Sequence, residues 1–375
     1  MSARFLTVVL ERAFNMRDGF GREIDYMRIS VIDSCNLNCY YCNPCDNNEH
    51  CHALNILSVK EVLCIVRAAT RLGIKHFRLT GGEPLLHPQL DEMVLQIKKI
   101  PGVSSVSLTT NAVLLAQHAK WLKEAGIDSI NVSLDTIDAS EYERITKKPL
   151  LEEVKHGINA AIECGIRVKI NVVLTPQTDV VALTRYVAKK GTDIRFIEMM
   201  PVGEGHTNGV EPYKKVIGTL SKLYGEPCRI NTEKTKEINS GNDKRKIPDN
   251  GPAEYYIFPE LGIRVGLIQA IHGKFCDTCN RIRVTADGRL MPCLGSSVTM
   301  DLVPDSWDFA DDVEKDFAIV RALRAAIKAK PRCHNFNDNA VTYTKTTETK
   351  TVETKTTEIE AAEVNAARNM SRIGG

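Results

Sequence analysis

Cys35, Cys39 and Cys42 stand in a C-x3-C-x2-C spacing on one short loop. Three thiolates so placed can bind three irons of a cubane cluster. With no fourth cysteine at a cluster spacing, the last iron keeps an open coordination position, and an open iron implies chemistry there. A zinc site using Cys45, His50, Cys51 or His52 is the alternative, because Cys42 and Cys45 also form a C-x2-C pair. A second constellation, Cys276, Cys279 and Cys293, is spaced C-x2-C-x13-C and again lacks an obvious fourth thiolate. Cys333 can supply one, which would make a zinc site or a closed electron-transfer cluster. Beside this triad lie Arg281 and Arg283. On a strand, residues two apart point the same way, so both guanidinium groups can converge on one polyanion; without the cysteines they would read as a solvated basic face.

These residues need elements to hold them. Short β-branched runs alternate with helical stretches, the pattern of βα units around a parallel sheet. The pattern predicts strands over Met27 to Asp33, Lys75 to Thr80, Val103 to Thr109, Ser129 to Leu134, Arg167 to Leu174 and Asp193 to Glu198. Helices are predicted over Ser58 to Leu72, opened by a capping box of Ser58 and Glu61, and over Pro88 to Lys99. Others cover Leu114 to Ala125, Leu151 to Cys164, Val180 to Lys189 and Tyr213 to Tyr224. Six such units suit a doubly wound sheet or an open partial barrel. Polar or glycine-rich groups close every strand, among them Cys35, Gly81 to Glu83, Thr109 to Asn111, Ser133 to Asp135 and Glu198 to Met200. A barrel collects its site from all strand ends, whereas a doubly wound sheet concentrates it at one switch point, so the barrel is favoured. A smaller β-rich segment follows, with strands near Tyr255 to Phe258, Gly262 to Gln269 and Ile282 to Thr285, then a helix near Asp316 to Ala329.

The fold class expected is thus α/β, a partial six-fold (βα) TIM-like barrel with a smaller β-rich C-terminal domain. The divisions are an N-terminal arm over 1–23, the barrel over 24–225, the second domain over 226–340, a linker over 341–360 and a tail over 361–375. The linker repeats a five-residue Lys/Thr/Glu unit between Lys345 and Ile359, which buries little surface. Composition excludes other classes. The 375 residues are 43% hydrophobic and 26% charged, with 49 Lys+Arg against 47 Asp+Glu, which is ordinary for a globular protein and not for a disordered one. No apolar run approaches the ~20 residues of a membrane-spanning helix, and Phe5 to Leu10 is too short for a signal-peptide core, so a cytoplasmic protein is expected. A net charge of +2 offers no global attraction to nucleic acid or membrane; a basic site must be a local pocket. The 12 cysteines then read as metal ligands or buried small hydrophobes rather than disulfides, with Cys64 and Cys164 falling inside predicted helices.

The loop from Arg28 to Cys42 and the strand end Thr80-Gly81-Gly82-Glu83-Pro84 resemble the radical S-adenosylmethionine (SAM) superfamily. Asp18 to Arg22, Phe196 to Gly203, Phe275 to Arg283, Lys330-Pro331, His334, Phe336 and the terminal Gly374-Gly375 fall in the order seen in the MoaA family of GTP 3′,8-cyclases. The resemblance implies two 4Fe–4S clusters, on Cys35, Cys39 and Cys42 and on Cys276, Cys279 and Cys293, with SAM on the first and the guanine edge of GTP on the second. It implies SAM contacts at Tyr41, Gly82, Ser133 and Met200, and GTP contacts at Arg28, Arg78, Thr109, Lys169, Arg281 and Arg283. Five of those six are cations, as a triphosphate needs. It further implies that Gly374 and Gly375 reach into the active site, that reduced ferredoxin or flavodoxin donates electrons, that cyclic pyranopterin monophosphate synthase acts next, and that the chain forms a homodimer. Three features depart from the family pattern: Ser34 where a basic residue is frequent, Ala112 where glycine is common, and the Lys345 to Ile359 repeat, which lengthens the path to the tail.

Overall fold

The computed structural model describes residues 16–42, 55–201, 212–230, 251–296, 299–302, 312–334 and 336. The linker, the tail with Gly374 and Gly375, and Cys45, His50, Cys51 and His52 lie outside them.

Six strands follow one another as the alternation predicts: β1 (Tyr26–Ser30), β2 (His76–Thr80), β3 (Ser105–Thr110), β4 (Ser129–Ser133), β5 (Val168–Leu174) and β6 (Asp193–Glu198), each parallel to the next. Between and after them run α1 (Val59–Arg71), α2 (Leu90–Lys98), α3 (Leu115–Glu124), α4 (Ala139–Thr146), α5 (Leu151–Glu163), α6 (Val180–Lys189) and α7 (Pro212–Tyr224). The expected capping box opens α1: Ser58 Oγ accepts from the Glu61 amide, and Glu61 accepts from the Ser58 amide at 2.6 Å. The β-rich C-terminal segment is present. Its strands are β7 (Cys228–Ile230), β8 (Glu254–Ile257), β9 (Arg264–Ile268), β10 (Arg281–Val284), β11 (Arg289–Met291) and β12 (Met300–Asp301), followed by α8 (Asp312–Lys328). They extend the barrel sheet rather than forming another. Strand β10 lies parallel on β1 and β9 parallel on β6, giving among the described residues one open sheet in the order β12-β11-β10-β1-β2-β3-β4-β5-β6-β9-β8-β7.

Alternation along each strand separates two environments. Met27, Ile29, Phe77, Leu79, Val106, Leu108, Ile130, Val132, Ile194 and Phe196 face the helices and are fully buried. They meet Val62, Ile65 and Val66 of α1, Met93 and Val94 of α2, and Val154 and Ile158 of α5 in the same core. The opposite face is polar. Register places Arg283, Arg28, Arg78 and Ser107 side by side across β10, β1, β2 and β3. A second row runs Thr109, Asn131, Lys169 and Asp193 across β3 to β6. Closed TIM barrels fill this inner face with branched apolar layers. Here it carries cations and hydrogen-bonding groups, the lining of a site for a polar anion.

Helix α4 was not expected. It is short, yet Asp138 caps it by accepting from the Glu141 amide at 2.8 Å, and left-handed Lys147 ends it. Ala112 also has a left-handed backbone, φ +65°, which is why glycine suits this position. Ala112→Gly is expected to be neutral to within about 1 kcal/mol. Relief of a ~1–2 kcal/mol left-handed penalty offsets a buried methyl of about 0.8 kcal/mol and roughly 0.5–1 kcal/mol of glycine entropy. Ala119→Gly, buried within α3, has no such relief and is expected to cost about 1–2 kcal/mol in urea denaturation.

Candidate active site

The first cysteine loop leaves β1 and is clamped on both sides. On one side the Gly82 and Glu83 amides donate to the Ile32 and Ser34 carbonyls, each at 2.8 Å. A Cβ on Gly81 would stand 2.2 Å from the Ile32 oxygen, and one on Gly82 2.2 Å from the Ser34 oxygen. Both glycines are therefore demanded by the approach of the cysteine loop itself. On the other side the Asn38 and Tyr40 amides donate to Thr146 and Ile145 at the end of α4, at 3.0 and 3.1 Å. The unexpected helix is thus half of the clamp.

Burial, with the neighbouring thiols, pushes Cys42 up to about 12 and Cys39 higher; burial carries Cys35 to about 11. Such thiols stay protonated until a metal takes them as thiolates. Among the described residues no three His, Cys, Asp or Glu side chains meet at a point fit for a single ion. A cubane asks for something else, one thiolate on each of three irons, and three mutually coupled cysteines on one loop fit it.

Two buried carboxylates organise the surroundings. Glu83 accepts from the Leu85 amide (3.0 Å), the Thr110 hydroxyl (2.7 Å) and the Asn111 amide (2.7 Å). Asn111 in turn donates to Asn36 at 2.7 Å and to the Cys35 sulfur at 3.8 Å. Asp135 receives the Tyr41 hydroxyl and, at 2.8 Å, the Val173 amide; burial lifts its pKa to about 6. Gly82, Ser133 and Met200 lie at or just beyond the carboxyl ends of β2, β4 and β6, and Tyr41, on the cysteine loop after β1, is tied to Asp135 just beyond β4. Asn111 and Asp135 were missed by sequence reasoning, although both sit in strand-end groups it singled out.

The second triad lies on the turn Cys276–Thr278, at the residue that ends it, Cys279, and just beyond β11 at Cys293. Burial raises the Cys276 thiol. Burial opposes ionisation of Cys279 too, but Arg281 and Lys330 overcome it and bring that thiol down to about 7. Lys330 donates to the Arg281 and Pro292 carbonyls at 2.8 and 2.7 Å. Arg22, ion-paired to Asp18, donates to the carbonyls of Cys276 (2.7 Å), Pro331 (2.7 Å) and Arg332 (2.9 Å). His334 holds the Ala270 carbonyl at 2.7 Å and stacks on Phe336. The motifs around Arg22, Lys330 and His334 are thereby explained as the frame of this triad. Glu198, at the end of β6, accepts from the Ile271 and His272 amides and pairs with the His272 ring, so the first barrel and the second cysteine loop share one brace.

Between the triads lies the cationic face. Arg78 donates to the Tyr26 hydroxyl and, at 3.4 Å, to Thr109. Lys169 stands over the Tyr255 ring, 5.9 Å from its centroid, and Arg281 over Phe275 at 4.9 Å. Burial, then the neighbouring Arg283, drives Arg28 well below the ordinary guanidinium range, and its buried Nε has no partner. Burial and Arg281 bring Arg283 down to about 10. Because guanidinium groups stay charged, these shifts reflect the cost of burying and crowding like charges, which a bound polyanion offsets. The structure adds Arg195: it donates to Asn171 at 2.9 Å, its Nη2 is buried without a partner, and Gly266 leaves the space a Cβ would fill 2.8 Å from its Cγ. Its parity with Asp193 on β6 was the available signal. The one acid in these rows, Asp193, is paired with Arg264.

The chain matches the family model described as Radical SAM superfamily over residues 29–182 and that described as Molybdenum Cofactor Synthesis C over residues 192–336. It is 35% identical over 324 residues to a GTP 3′,8-cyclase of Clostridium perfringens, covering 86% of this chain and 95% of that one. A GTP 3′,8-cyclase of Pelotomaculum thermopropionicum is 36% identical over 327 residues, covering 85% and 95%. Among solved structures, Streptococcus suis SuiB bound to precursor peptide SuiA matches with a TM-score of 0.54 at 14% identity, covering 86% of this chain and 69% of that chain. Native anSMEcpe with bound AdoMet and Cp18Cys peptide gives 0.50 at 17%, covering 81% and 83%. At these identities the structural likeness shows the fold alone. The two family models take in both cysteine triads and most of the cationic face, the relatives are covered over nearly their whole length, and the chain belongs to the MoaA family of GTP 3′,8-cyclases within the radical SAM superfamily.

Proposed function

We propose that the chain converts GTP to (8S)-3′,8-cyclo-7,8-dihydroguanosine 5′-triphosphate, the opening step of molybdenum cofactor biosynthesis. The row of Arg283, Arg28 and Arg78, three cations set side by side by strand register on the inner face, carries the reading. Cys35, Cys39 and Cys42 would hold the first cluster, which when reduced supplies the electron that cleaves SAM to methionine and a 5′-deoxyadenosyl radical. Tyr41, Gly82, Ser133 and Met200 orient SAM. Arg28, Arg78, Lys169, Arg281, Arg283 and Arg195 neutralise the triphosphate, and Thr109 fixes its orientation. So held, GTP would give its C3′ hydrogen to the 5′-deoxyadenosyl radical, forming 5′-deoxyadenosine; the C3′ radical would close onto C8 of its own guanine, and one further electron from the donor and a proton from solvent would complete the product. Cys276, Cys279 and Cys293 would hold a second cluster toward the guanine edge, with Gly374 and Gly375 reaching in from the tail. Reduced ferredoxin or flavodoxin is the proposed donor, cyclic pyranopterin monophosphate synthase the next enzyme, and a homodimer the proposed assembly.

Anaerobically reconstituted protein should bind about eight irons per chain and, with dithionite, form 5′-deoxyadenosine from SAM only when GTP is added. SAM cleavage indifferent to GTP would point instead to a radical SAM enzyme acting on another substrate. Removing Gly375 should abolish product while leaving GTP binding intact; full turnover without it contradicts the tail's role. Tyr41→Phe, which frees the ring from Asp135, should raise the Kd for SAM roughly tenfold by loss of one charge-assisted hydrogen bond. Unchanged SAM affinity in equilibrium binding would show that Asp135 does not position this ring.

A further inference from the structure

Cys333 belongs to neither triad, yet the chain holds it against the second one from both sides. On its N-terminal side, a single nitrogen of Arg22, Nη1, donates both to the Arg332 carbonyl at 2.9 Å and to the Cys276 carbonyl at 2.7 Å. On its C-terminal side, the His334 amide reaches Cys276, and the His334 ring is tied to the Ala270 carbonyl leading into the same loop. Lys330, three residues earlier, bonds the Arg281 and Pro292 carbonyls beside Cys279 and Cys293. The turn from Lys330 to His334 is thereby pinned to all three segments that carry the triad. Cys333 itself is exposed, with its thiol close enough to act electrostatically on Cys276.

We propose that Cys333 is a displaceable fourth thiolate of the second cluster, capping the iron that the other three cysteines leave open until substrate takes its place. The inference rests on the second cluster of the proposed function. Thiolate is a soft ligand suited to iron, and a thiol fixed beside an open iron binds it in preference to water. Exposure makes the cap releasable, since the freed side chain enters solvent and not the core. In the exchange the iron–sulfur bond to Cys333 breaks, a nitrogen or oxygen donor of the substrate base takes the site, and the departing thiolate accepts a proton from solvent. No electron is gained or lost. The cap keeps the reduced cluster from water and oxidants while the site is empty. Arg281 and Arg283, on the strand that follows Cys279, draw the anionic substrate to the same place.

N-Ethylmaleimide labelling of the full chain, read by peptide mass spectrometry, tests this. In reconstituted protein without GTP, Cys333 should label at least roughly tenfold more slowly than in iron-free protein, and added GTP should restore the fast rate. GTP added to iron-free protein should change nothing. Cys333→Ala should retain about eight irons per chain, alter the electron paramagnetic resonance spectrum and midpoint potential of the second cluster without GTP, and match the wild type once GTP is bound. Equal labelling with and without iron, protection that GTP does not lift, or an unaltered GTP-free spectrum in Cys333→Ala would each overturn the proposal. If wild-type protein holds only about four irons and Cys276, Cys279 and Cys293 label freely, the second cluster itself is wrong, a failure distinct from the others.

Discussion

Arg28→Met is expected to weaken GTP binding by roughly 30- to 1,000-fold, about 2–4 kcal/mol, while making the GTP-free protein more stable by about 1–2 kcal/mol. The two signs have one origin. Arg28 lies in register between Arg283 and Arg78, half-buried, with its Nε unpartnered, and burial, then its neighbours' charge, drives its pKa well down. Methionine keeps much of the stem's packing and removes the charge, so the empty site loses repulsion. The same charge is what a triphosphate neutralises in a poorly hydrated pocket, where a guanidinium fork grips phosphate oxygens far more strongly than in bulk water. Arg283→Met should weaken binding similarly, and the double variant by less than the product of the two, because both cations answer one polyanion. Calorimetric titration with GTP and urea denaturation without it measure the two signs. A variant that binds GTP as the wild type does, or loses stability when empty, would remove the phosphate role from this row. Such a trade of stability against binding is the usual mark of a site whose charges await a ligand.

This inner face was written in the alternation of each strand. Tyr26-Met27-Arg28-Ile29-Ser30 interleaves apolar and polar residues, and once the chain is read as a parallel sheet covered by helices, the polar set has to turn inward. The six barrel strands and the helices after them were legible for the same reason, since periodicity is a local property. What was not legible is non-local. Local patterning marks Arg264–Ile268 and Arg281–Val284 as strands but does not say that they pair with β6 and β1 and so carry the second triad onto the edges of the first sheet. Helix α4 is too short for its period to stand out, and its value lies in two carbonyls offered to the cysteine loop. Arg22, Lys330 and His334 were visible as motif members, yet their purpose, gripping backbone carbonyls in and around the second triad, appears only when residues 38 to 310 positions apart meet.

Glu83 sharpens the point, and replacing it should have the larger effect on folding. In the sequence it stands next to Gly82, which the family resemblance gives to SAM, and a carboxylate there could receive an ammonium group. In the structure its two oxygens are fully buried and already accept from Leu85, Thr110 and Asn111. Glu83→Ala strands these buried donors and is expected to cost about 3–5 kcal/mol, a large share of the 5–15 kcal/mol available to a domain. Glu83→Gln should cost less, about 1–3 kcal/mol, because one oxygen still serves Leu85 and Thr110 while its amide opposes the Asn111 N–H. Since Asn111 holds Asn36 and Cys35, both variants should also retain less iron after reconstitution. Burial pushes the Glu83 carboxyl from 4.5 up to about 7. The unfolded chain therefore releases its proton first as pH rises, so wild-type stability should fall between about pH 4.5 and 7, and Glu83→Gln should flatten that slope. Urea denaturation across this range, with iron counted per chain, measures all of these effects. If Glu83→Gln instead keeps full stability and iron but loses SAM affinity, the carboxylate serves the ligand and not the loops.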